Sequence, residues 1–148
     1  MAERTLIIIK PDGVQRLLVG EIIGRFEKKG LKIAAAKFFQ ISKELAEEHY
    51  QMHKDKPFFQ GAVSYVSSAP VLLIVLEGKR VIEISRKMMG ATFGYEAEAG
   101  TIRGDFGVSK TYNLIHGSDS PQAAQREIEL YFKPEEIIDY ELNNAKWL

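Results

Sequence analysis

The stretch that most limits the fold is PVLLIVLE, Pro70 to Glu77, an unbroken apolar run between a proline and an acid. A strand with one covered face alternates apolar and polar side chains. A continuous run of this length reads instead as a strand that is central or covered on both faces. It therefore calls for neighbouring strands and for helices to pack on them. Thr5 to Ile9 (TLIII) is a second β-branched run, closed by Lys10-Pro11-Asp12-Gly13, which reads as a strand followed by a turn. Leu31 to Ile41 reads as a third strand. In NLIHGSDS, residues 113–120, Leu114 and Ile115 form a short strand-like pair that delivers His116 onto a lip before Gly117-Ser118-Asp119-Ser120.

Helical spacing appears between these runs. Gly20 to Lys29 carries Ile22, Ile23 and Phe26 on one face and ends in Lys28-Lys29-Gly30, a cationic last turn with a terminal glycine. Ser42 is placed to cap a helix running through Leu45, His49 and Tyr50, and Pro57 ends or bends that region. Residues 79–89 return to helical period through Val81, Ile82, Ser85, Met88 and Met89. Residues 90–112 are glycine-rich and irregular, and a loop of this length is usually functional. Ser120 caps a last helix with Pro121 at its first position. The order is strand, helix, strand, helix, strand, helix, loop, strand, helix. It predicts an α/β sandwich with helices on one face of a small sheet. Strand order does not follow from it. No repeat, low-complexity segment or linker interrupts the chain, so residues 1–148 are read as one domain.

Composition excludes some functions. With no cysteine, disulfides and thiolate metal sites are ruled out, and a reducing, cytoplasmic setting fits. The apolar run in MAERTLIIIKPDG is too short for a signal peptide or a membrane span. Twenty basic and twenty acidic residues cancel, which argues against broad contact with duplex DNA. A local basic pocket for a small polyanion remains open.

The last helix gives the sharpest chemical clue. At about 100° per residue, Ala123, Ala124, Ile128, Leu130, Tyr131 and Phe132 share one arc, with Gln125, Arg126 and Glu129 opposite. Glu127 falls inside the apolar arc, where an unpaired carboxylate is costly. His116, just upstream, is one partner. A carboxylate on one ring nitrogen fixes the tautomer and leaves the other free as nucleophile or base. A backbone cap or a lysine would serve Glu127 equally well on spacing alone. The run Gly117 to Ser120 enters a helix N-terminus, which suits phosphate but is also how a helix is capped. Lys10, Arg86 and Arg103 sit at the ends of elements, where binding residues collect. Taken singly, each has a plainer reading: a solvated strand end, a helix-dipole partner, a surface pair with Asp105. His49 and His53 have metal-ligand spacing, but no third ligand lies near in sequence and lysines flank them. They read as a solvated helix face. Neither GxxxxGK[ST] nor a GxGxxG after a strand is present, so a bound nucleotide would be held without the common phosphate loops.

NLIHGSD, with TIRGDF upstream and the opening TLIIIKPDGVQR, closely resembles the nucleoside diphosphate kinases. The resemblance runs through EHY, KPFF, SYVSSAPV, EGK and EIELYFKPEE, essentially the whole chain. It implies a ferredoxin-like α/β sandwich with a four-stranded antiparallel sheet. It also implies transfer of the γ-phosphate of a nucleoside triphosphate to a nucleoside diphosphate, by a ping-pong route through a phosphohistidine on His116 Nδ1. By the same resemblance, Glu127 orients that histidine and Ser118 bonds the glutamate. Lys10, Tyr50, Arg103 and Asn113 surround the transferred phosphate and ribose, Arg86 and Thr92 hold the outer phosphates, and Phe58 stacks on the base. Mg²⁺ arrives with the nucleotide, and no dedicated metal ligand set is implied. The longer tail, DYELNNAKWL, goes with a homohexamer, with a tetramer as runner-up. Three positions depart from the family pattern. Phe93-Gly94-Tyr95 replaces Asn-Pro after Thr92, Leu17 stands at a common glycine, and Lys110 stands where an apolar residue often lines the base side. A catalytically silent nucleotide-binding or scaffold protein of the same fold is the alternative, and the retained His116 and Glu127 argue against it.

Overall fold

The computed structural model describes residues 2–148. Its strands are β1 (Glu3–Ile9), β2 (Lys32–Phe39), β3 (Val71–Gly78) and β4 (Ile115–Gly117). Its helices are α1 (Pro11–Gln15), α2 (Val19–Lys29), α3 (Lys43–His49), α4 (Phe59–Ser67), α5 (Val81–Met89), α6 (Ile102–Phe106) and α7 (Pro121–Tyr131). The sheet order is β2-β3-β1-β4, with every neighbouring pair antiparallel. The apolar run of β3 is therefore central, paired with β1 on one side and β2 on the other.

Helices cover both faces of this sheet, not one. Leu6, Ile7, Ile8 and Ile9 are all fully buried, and side chains alternate along a strand. Leu6 and Ile8 pack in one cluster with Ala46 of α3, Phe59, Val63 and Val66 of α4, and Ile128 and Tyr131 of α7. Ile7 and Ile9 pack in another with Ile22 and Phe26 of α2, Val81, Ile82 and Met89 of α5, and Ile102 of α6. Burying each such residue is worth about 1.5–3 kcal/mol. A single helical layer would leave half of that apolar surface in water.

The caps read from sequence are present. Ser42 Oγ accepts from the Leu45 amide at 3.1 Å, Ser120 Oγ from the Ala123 amide at 3.0 Å, and Gly30 ends α2 at φ 95°. Three elements differ from the sequence reading. Pro11–Gln15 is a turn of helix, not only a reversal. α4 has no counterpart in the reading of the sequence. Its Val63, Tyr65 and Val66 are weak helix formers, and burial of Phe59, Val63 and Val66 on one face outweighs propensity. Within the long loop, Thr101 caps the short α6 through the Gly104 amide at 3.0 Å.

Leu17 adopts φ 61° with its side chain 89% exposed. The left-handed region costs a side-chain-bearing residue about 1–2 kcal/mol, and this leucine recovers nothing by burial. Leu17→Gly should raise stability by about 0.5–1 kcal/mol, net of glycine's larger unfolded-state entropy, as read by urea denaturation. A lower midpoint would mean that a second copy of the chain buries Leu17.

Candidate active site

β4 is an edge strand of three residues, and His116 is its middle one, opposite Ile8 of β1. The histidine thus lies within the strand, not beyond its end. His116 Nε2 lies 2.7 Å from Glu127 Oε1, and the same oxygen accepts from Ser118 Oγ at 2.8 Å. Ser118 is itself tied to β1: its amide donates to Leu6 O at 3.1 Å and its hydroxyl accepts from the Leu6 amide at 3.2 Å. The carboxylate inside the apolar arc of α7 is therefore partnered by the histidine, not by a lysine or a backbone cap. Burial pushes the Glu127 carboxyl up, but the His116 hydrogen bond and the neighbouring imidazoles outweigh it and hold the group down at about 2. A carboxylate on Nε2 selects the tautomer with the proton there. Nδ1 then carries the lone pair and has no protein partner among the described residues.

His116 and Glu127 line a cleft of about 470 Å³ together with Tyr50, Phe58, Arg86, Asp119 and Arg126. Arg86, in the last turn of α5, donates to Gly117 O at 3.1 Å, so it is anchored beside the histidine. Phe58 is half-exposed at the mouth, with the His53 ring 5.4 Å away. The Tyr50 hydroxyl is pushed up to about 12, by burial first and by Glu127 second, and so stays protonated.

The remaining predicted residues do not line the cleft but brace it. Arg103 is not a surface partner of Asp105, which pairs with Arg25 at 2.7 Å. It is buried, and its guanidinium donates to the carbonyls of Asn113 (3.1 Å), Gly90 (3.1 Å) and Ile115 (2.6 Å). Burial and the Arg86 charge lower it to about 10, which leaves it charged at neutral pH. Lys10 Nζ donates to Asn113 Oδ1 at 2.9 Å, and burial together with the Arg103 charge brings it down to about 7. Asn113 Nδ2 donates to Thr92 O at 3.2 Å, joining the glycine-rich loop to the cluster. In that loop Phe93 and Tyr95 stack at 5.8 Å and 5°. Gly94 lies so close to Gly107 that an added Cβ would sit 2.2 Å from its carbonyl oxygen. Lys110 is exposed and outside the cleft lining.

The structure also corrects the reading of His49 and His53. His49 is buried, not solvated, and does not pair with His53. Its Nδ1 lies 2.8 Å from the Tyr131 hydroxyl and its ring 4.7 Å, edge to face, from His116. Burial and then the nearby His116 push it down to about 3, so it is neutral. The available signal was its spacing of three from the buried Ala46 on α3. His49, His116 and Glu127 bring their donor atoms within 4.8 Å of one another. A larger hollow of about 880 Å³, lined by Ile128, Phe132, Pro134 and Ile137 among others, holds no histidine and none of the site residues the sequence singles out, so the site is assigned to the cleft at His116.

Residues 3–137 match the sequence model of the family described as nucleoside diphosphate kinase. The chain belongs to the nucleoside diphosphate kinase family. The nucleoside diphosphate kinase of Carboxydothermus hydrogenoformans is 56% identical over 146 residues, 99% of this chain and 98% of that one. Among solved structures, the halophilic nucleoside diphosphate kinase of Halobacterium salinarum in complex with CDP superposes with a TM-score of 0.97 at 48% identity, covering 99% of this chain and 98% of that one. The Borrelia burgdorferi nucleoside-diphosphate kinase, a transition-state mimic with bound vanadate and ADP, gives a TM-score of 0.92 at 37% identity over 97% and 95% of the two chains. The ferredoxin-like kinase fold expected from the motifs is thus the fold observed. Among the described residues, no helix is long and apolar enough to cross a membrane.

Proposed function

We propose that this kinase moves the γ-phosphate of a nucleoside triphosphate onto the Nδ1 nitrogen of His116, and from there onto a second nucleoside diphosphate. The observation that carries this reading is the 2.7 Å contact between His116 Nε2 and Glu127, beside a cleft large enough for a nucleotide. The Nδ1 lone pair attacks the γ-phosphorus as the bond to the bridging oxygen breaks. The nucleoside diphosphate leaves with the negative charge, and the second diphosphate reverses the step. Splitting the transfer in two removes the need to hold both nucleotides at once.

Such a transfer needs positioning and neutralisation of the phosphate oxygens more than covalent help. Arg86, Arg103 and Lys10 supply positive charge there, and an arriving polyphosphate favours the protonated form of Lys10. Tyr50 offers its hydroxyl from the cleft lining, while Asn113, outside it, bonds Lys10 and the Thr92 carbonyl and so holds that lysine and the glycine-rich loop in place. Phe58 offers a ring to any base, which supports loose base selectivity. For magnesium, the donor set fits an ion carried by the nucleotide. The cleft lining is rich in nitrogen and cations, and of its two carboxylates Glu127 is engaged, leaving Asp119 as an oxygen ligand. When bound, the ion would spread the charge of the phosphates. We also read residues 1–148 as one kinase domain in a cytoplasmic setting, consistent with the cysteine-free sequence.

The test is to mix the purified protein with ATP labelled at the γ position and Mg²⁺, without acceptor. Acid-labile, base-stable label on the protein, released by a nucleoside diphosphate, is the expected result. Unlabelled, folded protein that still binds nucleotide would mean a silent binding protein. In solution we expect a homo-oligomer, a trimer-based hexamer first and a tetramer as runner-up. Tyr95, Val108 and Trp147 are large apolar groups left exposed on one copy. Light scattering that returns a monomer at working concentration would refute this.

A further inference from the structure

The backbone two residues before His116 is strained. Leu114 has φ 72° and is fully buried, and the Ile115 amide bonds back to Asn113 O at 2.8 Å. A positive φ closed by a bond from residue i+2 to residue i marks the rarer, strained form of γ-turn. Such a turn persists only where its surroundings over-determine it. Here the surroundings are specific. The Asn113 amide donates to the Tyr65 hydroxyl at 3.2 Å. The Leu114 amide donates to Asp12 Oδ2 at 3.1 Å and to the Tyr65 hydroxyl at 3.3 Å. Tyr65 in turn donates its proton to Asp12 Oδ1. Two consecutive amides of the turn are thus held by one carboxylate–phenol couple, drawn from α1 and α4. The same tyrosine ring lies 5.0 Å from Lys10 Nζ, which bonds the Asn113 side chain. Neither Asp12 nor Tyr65 lines the cleft.

We propose that Asp12 and Tyr65 are positioning residues for phosphotransfer: they clamp the Asn113–Leu114 turn so that His116, two residues on, is held on line with the phosphate. This rests on the transfer reading above. The clamp grips backbone, not substrate, so it governs the rate of attack on the γ-phosphorus and leaves nucleotide affinity alone. A misplacement of about 1 Å at a reacting atom can cost on the order of 10²-fold in rate.

The test compares wild type, Tyr65→Phe, Asp12→Asn, Asp12→Ala and the double variant Tyr65→Phe with Asp12→Asn in single-turnover phosphorylation by γ-labelled ATP, with nucleotide affinity measured in parallel. Tyr65→Phe keeps the ring over Lys10 and removes only the hydroxyl. It should slow phosphohistidine formation roughly 10- to 100-fold while the dissociation constant moves by less than about threefold. Amide exchange at Asn113 and Leu114 should rise in the same variant, with that at Ile7 and Ile9 of β1 unchanged. Asp12→Asn, which keeps an acceptor for the Leu114 amide, should retain more activity than Asp12→Ala. The double variant should be about as slow as the slower single one, because the pair acts as a unit. A Tyr65→Phe rate within about twofold of wild type, or equal losses in rate and affinity, would overturn the proposal. Wild type that takes no label would overturn the transfer reading, and this proposal with it. If Asp12→Ala does not fold, the rate and exchange pattern of Tyr65→Phe still decide.

Discussion

His116→Ala should remain folded and bind nucleotide, yet accept no label and turn over at least roughly 10⁴-fold more slowly than wild type. The imidazole is the one group in the cleft with a ring nitrogen fixed by a carboxylate and its other nitrogen unpartnered, so alanine removes the acceptor of the phosphate itself. Binding should survive because Arg86, Phe58 and the Lys10–Asn113–Arg103 cluster do not depend on the ring. Arg86 is anchored to the Gly117 carbonyl, and Arg103 to the carbonyls of Gly90, Asn113 and Ile115. Label retained on the variant would name a second nucleophile. His49 would be the first to test, since it is neutral and its ring lies 4.7 Å from that of His116. The assay is γ-labelled ATP without acceptor, with equilibrium dialysis to show that nucleotide is still held.

The same residues show where sequence reasoning reaches and where it stops. The apolar runs of β1 and β3 were legible because burial on both faces removes alternation, and the Ser42 and Ser120 caps because a hydroxyl before a helix has a specific local task. Glu127 stood out because a carboxylate in an apolar arc must be answered. Its partner was then a short list, and the structure chose His116. What stayed hidden are groups whose reason lies far along the chain. Arg103 looked like a neighbour of Asp105, but its acceptors are carbonyls supplied by residues 90, 113 and 115. His49 looked solvated beside Lys54 and Lys56, yet α3 and α7 close over it and Tyr131 takes its Nδ1. Asp12 looked like a turn residue and Tyr65 drew no notice, because their shared task is to hold amides about fifty and a hundred positions away, a spacing no local pattern encodes. The second helical layer was missed for a related reason. An unbroken run fits either a central strand or a strand covered on both faces, and in β3 both hold.

Glu127→Ala should slow transfer roughly 10²-fold and leave nucleotide affinity nearly unchanged, because the carboxylate touches the histidine and not the cleft's cations. Without it the imidazole is free to place its proton on either nitrogen and to turn about its side-chain bonds. The fraction presenting a bare Nδ1 to the phosphate then falls. Equal losses in affinity and rate would contradict an orienting role. The same carboxylate also makes stability depend on pH, and the direction is fixed. Its value is about 2 in the folded chain against an ordinary 4.5, so folding favours the ionised form. The difference is worth on the order of 3 kcal/mol, fully present above about pH 4.5 and lost as pH falls toward 2. Glu127→Gln keeps the shape and an acceptor for His116 but cannot titrate. Its stability deficit against wild type should therefore be large at pH 7 and shrink as pH is lowered through that window, read by urea denaturation at each pH. A deficit constant from pH 7 to pH 3 would mean that the charge on Glu127 contributes nothing to folding, and that the His116 contact is held by shape alone.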